Sequence, residues 1–145
     1  YLKMPEKTAE VIELIDGFRW YRTGDKGHLD EDGFLTIVDR YSRFAKIGGE
    51  MISLTTVEDE ILSACNNNDL EIAATCLPDQ RKGEKIVLLS TINLDKSQLS
   101  KILSNAQVNS LYHPSSVLVV EEIPKLGSGK TDFGETKKIA LVNNH

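Results

Sequence analysis

Two apolar runs separated by a short polar break constrain this chain more than any other stretch. Glu71-Ile72-Ala73-Ala74-Thr75-Cys76-Leu77 reads as a buried strand closed by Pro78-Asp79. Lys85-Ile86-Val87-Leu88-Leu89-Ser90-Thr91-Ile92 is the clearest strand of the sequence, and Arg81-Lys82-Gly83-Glu84 between the two is a turn. On either side the apolar period changes to that of helices. Val57, Ile61 and Ala64 follow a helical spacing behind Thr55 or Thr56 as cap, and Asn66 to Asp69 ends that segment. Leu99, Ile102, Leu103 and Ala106 mark one face of a second helix started by Asp95 or Ser97. Ser116 to Val120 adds a third strand, and Glu135 to Leu141 a closing helix. The expectation is an α+β fold, a small domain with a three-stranded sheet flanked by helices, preceded by an N-terminal β-hairpin segment.

That earlier segment has a different texture. Tyr1 to Ile15 carries Pro5 and then Thr8 to Leu14, a short helix or turn. Phe18-Arg19-Trp20-Tyr21-Arg22 suits a strand, which Thr23-Gly24-Asp25 breaks with a turn that presents a carboxylate. Such a carboxylate can accept two hydroxyl protons from a ribose, or cap its own backbone in an Asx-turn; the residue types leave both open. Leu29-Asp30-Glu31-Asp32-Gly33 lacks the ligand pattern and closing Glu of a calcium loop and reads as an Asp-Gly hairpin turn into Phe34 to Val38. Asp39 to Lys46 is the expected linker. Its Arg40, Arg43 and Lys46 form a positive strip suited to an anionic partner, with a solvated charged loop as the alternative. The paired Gly48 and Gly49 that follow allow a ligand or a second backbone to pass close by.

Composition excludes more than it selects. A hydrophobic content of 40% with 27% charged residues is that of an ordinary soluble globular protein, and a net charge of −5 argues against a nucleic-acid binder. No apolar run approaches a membrane span and no secretory signal is present, so a cytoplasmic setting is expected for this domain. The first residue is Tyr1 rather than Met, which leads us to expect a piece of something longer. Cys65 and Cys76, with no Cys-x-x-Cys and no neighbouring His, read as free thiols and not as a metal site. No acid–base role is expected for the scattered His28, His113 and His145.

The richest stretch chemically is Ile123-Pro-Lys-Leu-Gly-Ser-Gly-Lys-Thr-Asp-Phe133. Its Leu-Gly-Ser-Gly-Lys-Thr ends like a P-loop, but the position that should hold the first glycine is Pro124, which has no N–H to offer a phosphate. Gly127 and Gly129 flank Ser128 and leave Lys130 on a loop free of Cβ crowding. Lys130 is a point charge on a flexible stem, suited to an anionic oxygen that moves. Thr131 and Asp132 are candidate caps for the last helix.

Three motifs in order carry a family resemblance over essentially the whole chain. Tyr21-Arg22-Thr23-Gly24-Asp25 resembles the Tyr-x-Thr-Gly-Asp of the acyl-adenylate-forming enzymes, which include acyl-CoA synthetases, peptide-synthetase adenylation domains and luciferases. Asp39-Arg40 through Gly48-Gly49-Glu50-Met51 resembles their linker motif, and Pro124 through Lys130 their terminal Pro-x-x-x-x-Gly-Lys. In wording, Arg43-Phe44-Ala45-Lys46-Ile47, Gly49 to Leu54 and Leu126 to Phe133 resemble bacterial acyl-[acyl-carrier-protein] synthetases fused to 2-acylglycerophosphoethanolamine acyltransferases of phospholipid repair.

The resemblance implies a division of the chain. Residues 1–39 would be the tail of a large N-terminal adenylation domain, 40–46 a hinge centred on Ser42, and 47–145 a mobile C-terminal lid. It also implies roles. Asp25 would bind the ribose hydroxyls of ATP or AMP, and Arg40 the ribose or a phosphate. Lys130 would bridge the substrate carboxylate and the nucleotide during adenylation. Gly48, Gly49 and Glu50 would face the pantetheine tunnel, and Arg43 and Lys46 would contact an acyl carrier protein. ATP with Mg, whose ligands would lie in the upstream domain, a fatty acid, and the phosphopantetheine of carrier protein or coenzyme A complete the set. Two positions depart from the family pattern: Asp39 stands where glycine usually precedes the linker arginine, and Ser42 where the hinge is commonly Asp or Lys. Alone, the chain is expected to be inactive. Two rival readings are the lid of an ordinary acyl-CoA synthetase and a non-catalytic carrier-protein docking module.

Overall fold

A computed structural model describes residues 1–143; His145 lies outside the described residues. The chain divides into two compact units between Ser42 and Arg43.

The first unit is built from local hairpins. Helix α1 (Pro5–Val11) starts with proline at its first turn, where the missing N–H costs nothing. Strands β1 (Ile12–Ile15) and β2 (Phe18–Tyr21) pair antiparallel from Ile12–Tyr21 to Ile15–Phe18, across the two-residue turn Asp16-Gly17. Residue types predict a helix or turn through Glu13 and Leu14; the Asp-Gly turn after Ile15 folds them into a strand instead. Strands β3 (Asp25–Leu29) and β4 (Leu35–Arg40) form the second hairpin, closed as expected by the Asp30–Gly33 turn. There the Asp30 carboxylate accepts the N–H groups of Asp32 and Phe34, at 3.0 and 2.8 Å. No residue of this unit is buried, and Phe18, Trp20, Phe34 and Leu35 stand well exposed.

The second unit holds the core. Strands β7 (Ile72–Asp79) and β8 (Gly83–Ser90) pair antiparallel along their length, and β9 (Ser116–Val119) runs parallel to β8 from Val87–Ser116 to Ser90–Val119. These are the three strands read from the sequence. A hairpin of β5 (Phe44–Ile47) and β6 (Glu50–Ser53) extends the sheet to five strands by the pair Ile47–Gly83.

Side-chain alternation along β7 and β8 feeds two apolar layers. Ala74, Cys76, Ile86 and Leu88 face Val57 and Ile61 of α2 (Leu54–Cys65) and Leu99 and Leu103 of α3 (Lys96–Asn105). Ala73, Leu77, Val87 and Leu89 face Ile123 and Ala140, the latter on α4 (Phe133–Asn143). Ser53 rather than Thr55 or Thr56 caps α2, its hydroxyl accepting the Thr56 N–H, and Asn66 ends the helix in the left-handed region. Asp95 caps α3 through the N–H groups of Ser97 and Gln98.

Candidate functional site

Lys130 sits on a tight loop whose two limbs are fastened. Lys125 and Thr131 pair across it, Leu126 N–H donates to the Lys130 carbonyl (2.7 Å), and Asp132 N–H donates to the Pro124 carbonyl (2.8 Å). At the tip Gly129 N–H donates back to Leu126, with Gly129 at φ +81, a region that side chains other than glycine's disfavour. A Cβ at Gly127 or Gly129 would meet nothing within 4 Å, so the glycines serve the turn and leave the tip open. The Lys130 side chain is exposed, and among the described residues its ammonium has no ion-pair partner. Such a charge is free to meet an incoming anion.

The downstream limb enters α4 through Asp132. Its Oδ1 accepts the Glu135 N–H at 3.0 Å, and its carbonyl takes the Thr136 hydroxyl at 2.8 Å. Of the two candidate caps, then, Asp132 caps and Thr131 joins the loop bridge. On the upstream limb Lys125 pairs with Glu71 at 2.8 Å, an exposed contact.

Arg43 requires a correction. It is not part of a surface strip: only 5% of its side chain is exposed. One guanidinium nitrogen donates to the Ala74 carbonyl of β7 at 2.7 Å, and the other meets Glu58 of α2 at 2.6 Å. The second Glu58 oxygen accepts the Ala74 N–H at 2.6 Å. The guanidinium also lies over the Phe133 ring, 3.7 Å from its centroid. Burial pushes the Glu58 carboxyl above its ordinary value, against the opposing pull of Arg43 and the Ala74 N–H. A cation so enclosed cannot grip a carrier protein. The sequence gives Phe133 only as the end of the 123–133 stretch and assigns Glu58 nothing; the one signal for Glu58 is a carboxylate beside the apolar stripe of α2.

The remaining candidates fall into two groups. Gly48 and Gly49, at φ +60 and +94, form the two-residue turn of the β5–β6 hairpin, the conformation that favours glycine at both positions. The turn is open, with nothing within 4 Å of a Cβ at either residue, and Gly48 N–H donates to the Lys82 carbonyl at 2.9 Å. Glu50 and Lys46 flank it, both exposed. In the first unit Asp25 and Arg40 are brought together: they pair across the hairpin, and Arg40 Nε lies 3.1 Å from Asp25 Oδ1. The turn at Thr23-Gly24-Asp25 is closed by the Thr23 hydroxyl, which accepts the Asp25 N–H, so the carboxylate is turned to Arg40 and not to its own backbone. Asp39 Oδ1 accepts the Arg40 N–H at 2.7 Å. Ser42 lies at the boundary of the units, in the 3-10 turn Tyr41–Arg43. Among the described residues no three His, Cys, Asp or Glu side chains gather to hold a metal ion, and no helix is long and apolar enough to cross a membrane.

Comparison with known proteins gives a consistent picture. No family model matches the chain. The chain is 34% identical over 136 residues to a 2-succinylbenzoate–CoA ligase of Listeria monocytogenes, a match that covers 91% of this chain and 28% of the relative. It is 30% identical over 135 residues to the medium-chain fatty-acid–CoA ligase of Escherichia coli, covering 90% of this chain and 23% of that one. The chain thus spans about a quarter of the length of these curated relatives. Its fold matches that of ATP-bound MatB from Rhodopseudomonas palustris with a TM-score of 0.74 over 97% of this chain and 27% of that one, at 24% identity.

Proposed function

We propose, from the premise that this chain is the C-terminal part of a member of the AMP-binding acyl-CoA ligase superfamily, that it is the lid of an ATP-dependent acyl ligase whose working cation is Lys130. The observation that carries the proposal is the exposed Lys130 ammonium, without an ion-pair partner among the described residues, on a loop fastened at both limbs. The first half-reaction joins two anions: a carboxylate attacks the α-phosphorus of ATP, forming acyl-AMP and expelling pyrophosphate. A cation between them offsets their repulsion as the bond forms. In the second, a pantetheine thiol attacks the acyl carbonyl, the thiol proton is lost, and AMP leaves. That step needs the cation withdrawn, which a lid swinging at Ser42 accomplishes.

The other residues take roles consistent with their geometry. Asp25, three-quarters shielded and paired with Arg40, is a preset acceptor for ribose hydroxyls, with Arg40 beside it for ribose or phosphate. The open Gly48-Gly49 turn with Glu50 lines the path of the pantetheine arm, and exposed Lys46 faces an acidic carrier. Mg ligands would come from the upstream adenylation domain.

The wording of the motifs favours a fatty acid as substrate and acyl carrier protein as acceptor, in a parent that also bears the 2-acylglycerophosphoethanolamine acyltransferase. The matched relatives favour a second reading, with coenzyme A as acceptor, since both are named CoA ligases. In the full-length polypeptide Lys130→Ala is expected to slow adenylation by roughly 10²–10³, the scale for one lost electrostatic contact. Thioester formation from preformed acyl-AMP should stay near the parent rate. Equal losses in both half-reactions would overturn the role of Lys130. Pyrophosphate release measured with carrier protein against coenzyme A decides the acceptor.

A further inference from the structure

We infer that Arg43 is a positioning residue for Lys130: a buried post whose guanidinium, stacked on Phe133, holds the downstream root of the Lys130 loop. This deepens the reading of Lys130 given above and rests on it. The guanidinium is fixed by rigid elements on two sides, through the Ala74 carbonyl of β7 and through Glu58 of α2. Glu58 is fixed in turn by the Ala74 N–H. With its edge so engaged, its flat face is presented to the Phe133 ring at 3.7 Å. That ring is 40% exposed, so apolar burial holds it only in part.

Phe133 is the first residue of α4 and follows Asp132, whose N–H closes the loop on Pro124 and whose carboxylate caps the helix. A shift of the ring therefore passes through Asp132 and Thr131 to Lys130, three residues upstream. The opposite limb is held by Lys125 and Glu71, an exposed pair that salt screens. The Arg43 guanidinium, 5% exposed, is far less open to such screening. A buried ion pair is weak evidence for stability, since apolar groups of equal volume often replace one without loss. What they do not supply is a plane held at a set height under a ring.

Position in the chain gives the post its use. The division between the units falls between Ser42 and Arg43, so the residue that roots the Lys130 loop is the first one beyond the joint. Any change of backbone dihedrals at Tyr41 and Ser42 is followed at once by a residue locked into the second unit, with no slack between joint and post.

The test uses the full-length polypeptide carrying Phe133→Leu, Phe133→Tyr or Arg43→Lys. Three readouts are followed: the rate of limited tryptic cleavage after Lys130, the two half-reactions measured separately, and the melting temperature. Phe133→Leu removes the ring, and Arg43→Lys keeps the charge opposite Glu58 while losing the flat fork. Both are expected to speed cleavage after Lys130 by roughly tenfold, the scale of a lost desolvated cation–π contact. Both should lower the adenylation kcat by roughly 10–100-fold, the scale of an ångström of misplacement. KM for ATP and the rate of the thioester step should stay near parent values. Phe133→Tyr, which keeps the ring, should restore all of them. Cleavage and adenylation at parent values in Phe133→Leu would overturn the inference. So would equal losses in both half-reactions together with a lowered melting temperature, which mark a structural role only. If instead Lys130→Ala itself spares adenylation, the reading of Lys130 fails, while the cleavage rates still report whether the stack holds the loop.

Discussion

Arg43 and Glu58 share one peptide: the guanidinium gives to the carbonyl of Ala74 and the carboxylate takes its N–H. Removing one charge of such a buried pair strands the other, so Glu58→Ala is expected to cost about 3–5 kcal/mol of unfolding free energy, read from urea titrations. The pH dependence has the opposite sense to that of a stabilised carboxylate. Burial raises the Glu58 carboxyl above its ordinary 4.5, so the folded state holds the proton more tightly than the unfolded chain. The contribution of this group therefore declines as pH rises from about that value through the raised one. Glu58→Gln should flatten that slope in stability measured between acid and neutral pH. None of this was legible in the sequence. Arg40, Arg43 and Lys46 look alike as a run of cations, and what separates Arg43 is a partner fifteen residues away on another element. Asp25 was legible as a presented carboxylate, and the hairpin register that sets Arg40 opposite it was not.

Among the elements, the long apolar runs were read correctly because burial on both faces leaves an unbroken mark in the sequence. Of the four-residue strands, β2 and β9 match the sequence reading, whereas β1, β5 and β6 do not. β1, β5 and β6 have four residues each, too few to show an alternation, and each is organised by a neighbouring turn rather than by its own pattern. As residue types Gly48-Gly49 suggest room for a ligand or a second backbone, yet their first effect is to fold Ile47 back onto Glu50 and so bring Ile47 and Ile52 into the core. The cap of α2 was misplaced for a related reason. Thr55 and Thr56 suit a cap as residue types, but Leu54 is buried and belongs to the helix, which leaves Ser53 to accept the free N–H of Thr56. Ser53→Ala is expected to cost about 1 kcal/mol, measured as a shift in urea midpoint with unchanged slope. Thr55→Ala should move it by less.

At the scale of the whole molecule the two units differ in kind. The second has apolar layers on both faces of its sheet, whereas the first is two hairpins and one helix without a buried residue. Isolated hairpins are marginal in water. Hydrogen exchange on the chain should show strong protection in β7 and β8 and little in β1 to β4, and the full-length polypeptide should raise protection in the hairpins. Strong protection of β1 to β4 in the chain alone would show that they stand without further support. The order of the elements adds a constraint of another sort. The helix that covers Ala73, Leu77, Val87 and Leu89 is the last one in the described chain. During translation, the strands it shelters leave the ribosome well before it does. A chain cut short before Phe133 would display a bare greasy flank, so the same stretch that roots the Lys130 loop also hides the surface that would mark an unfinished copy.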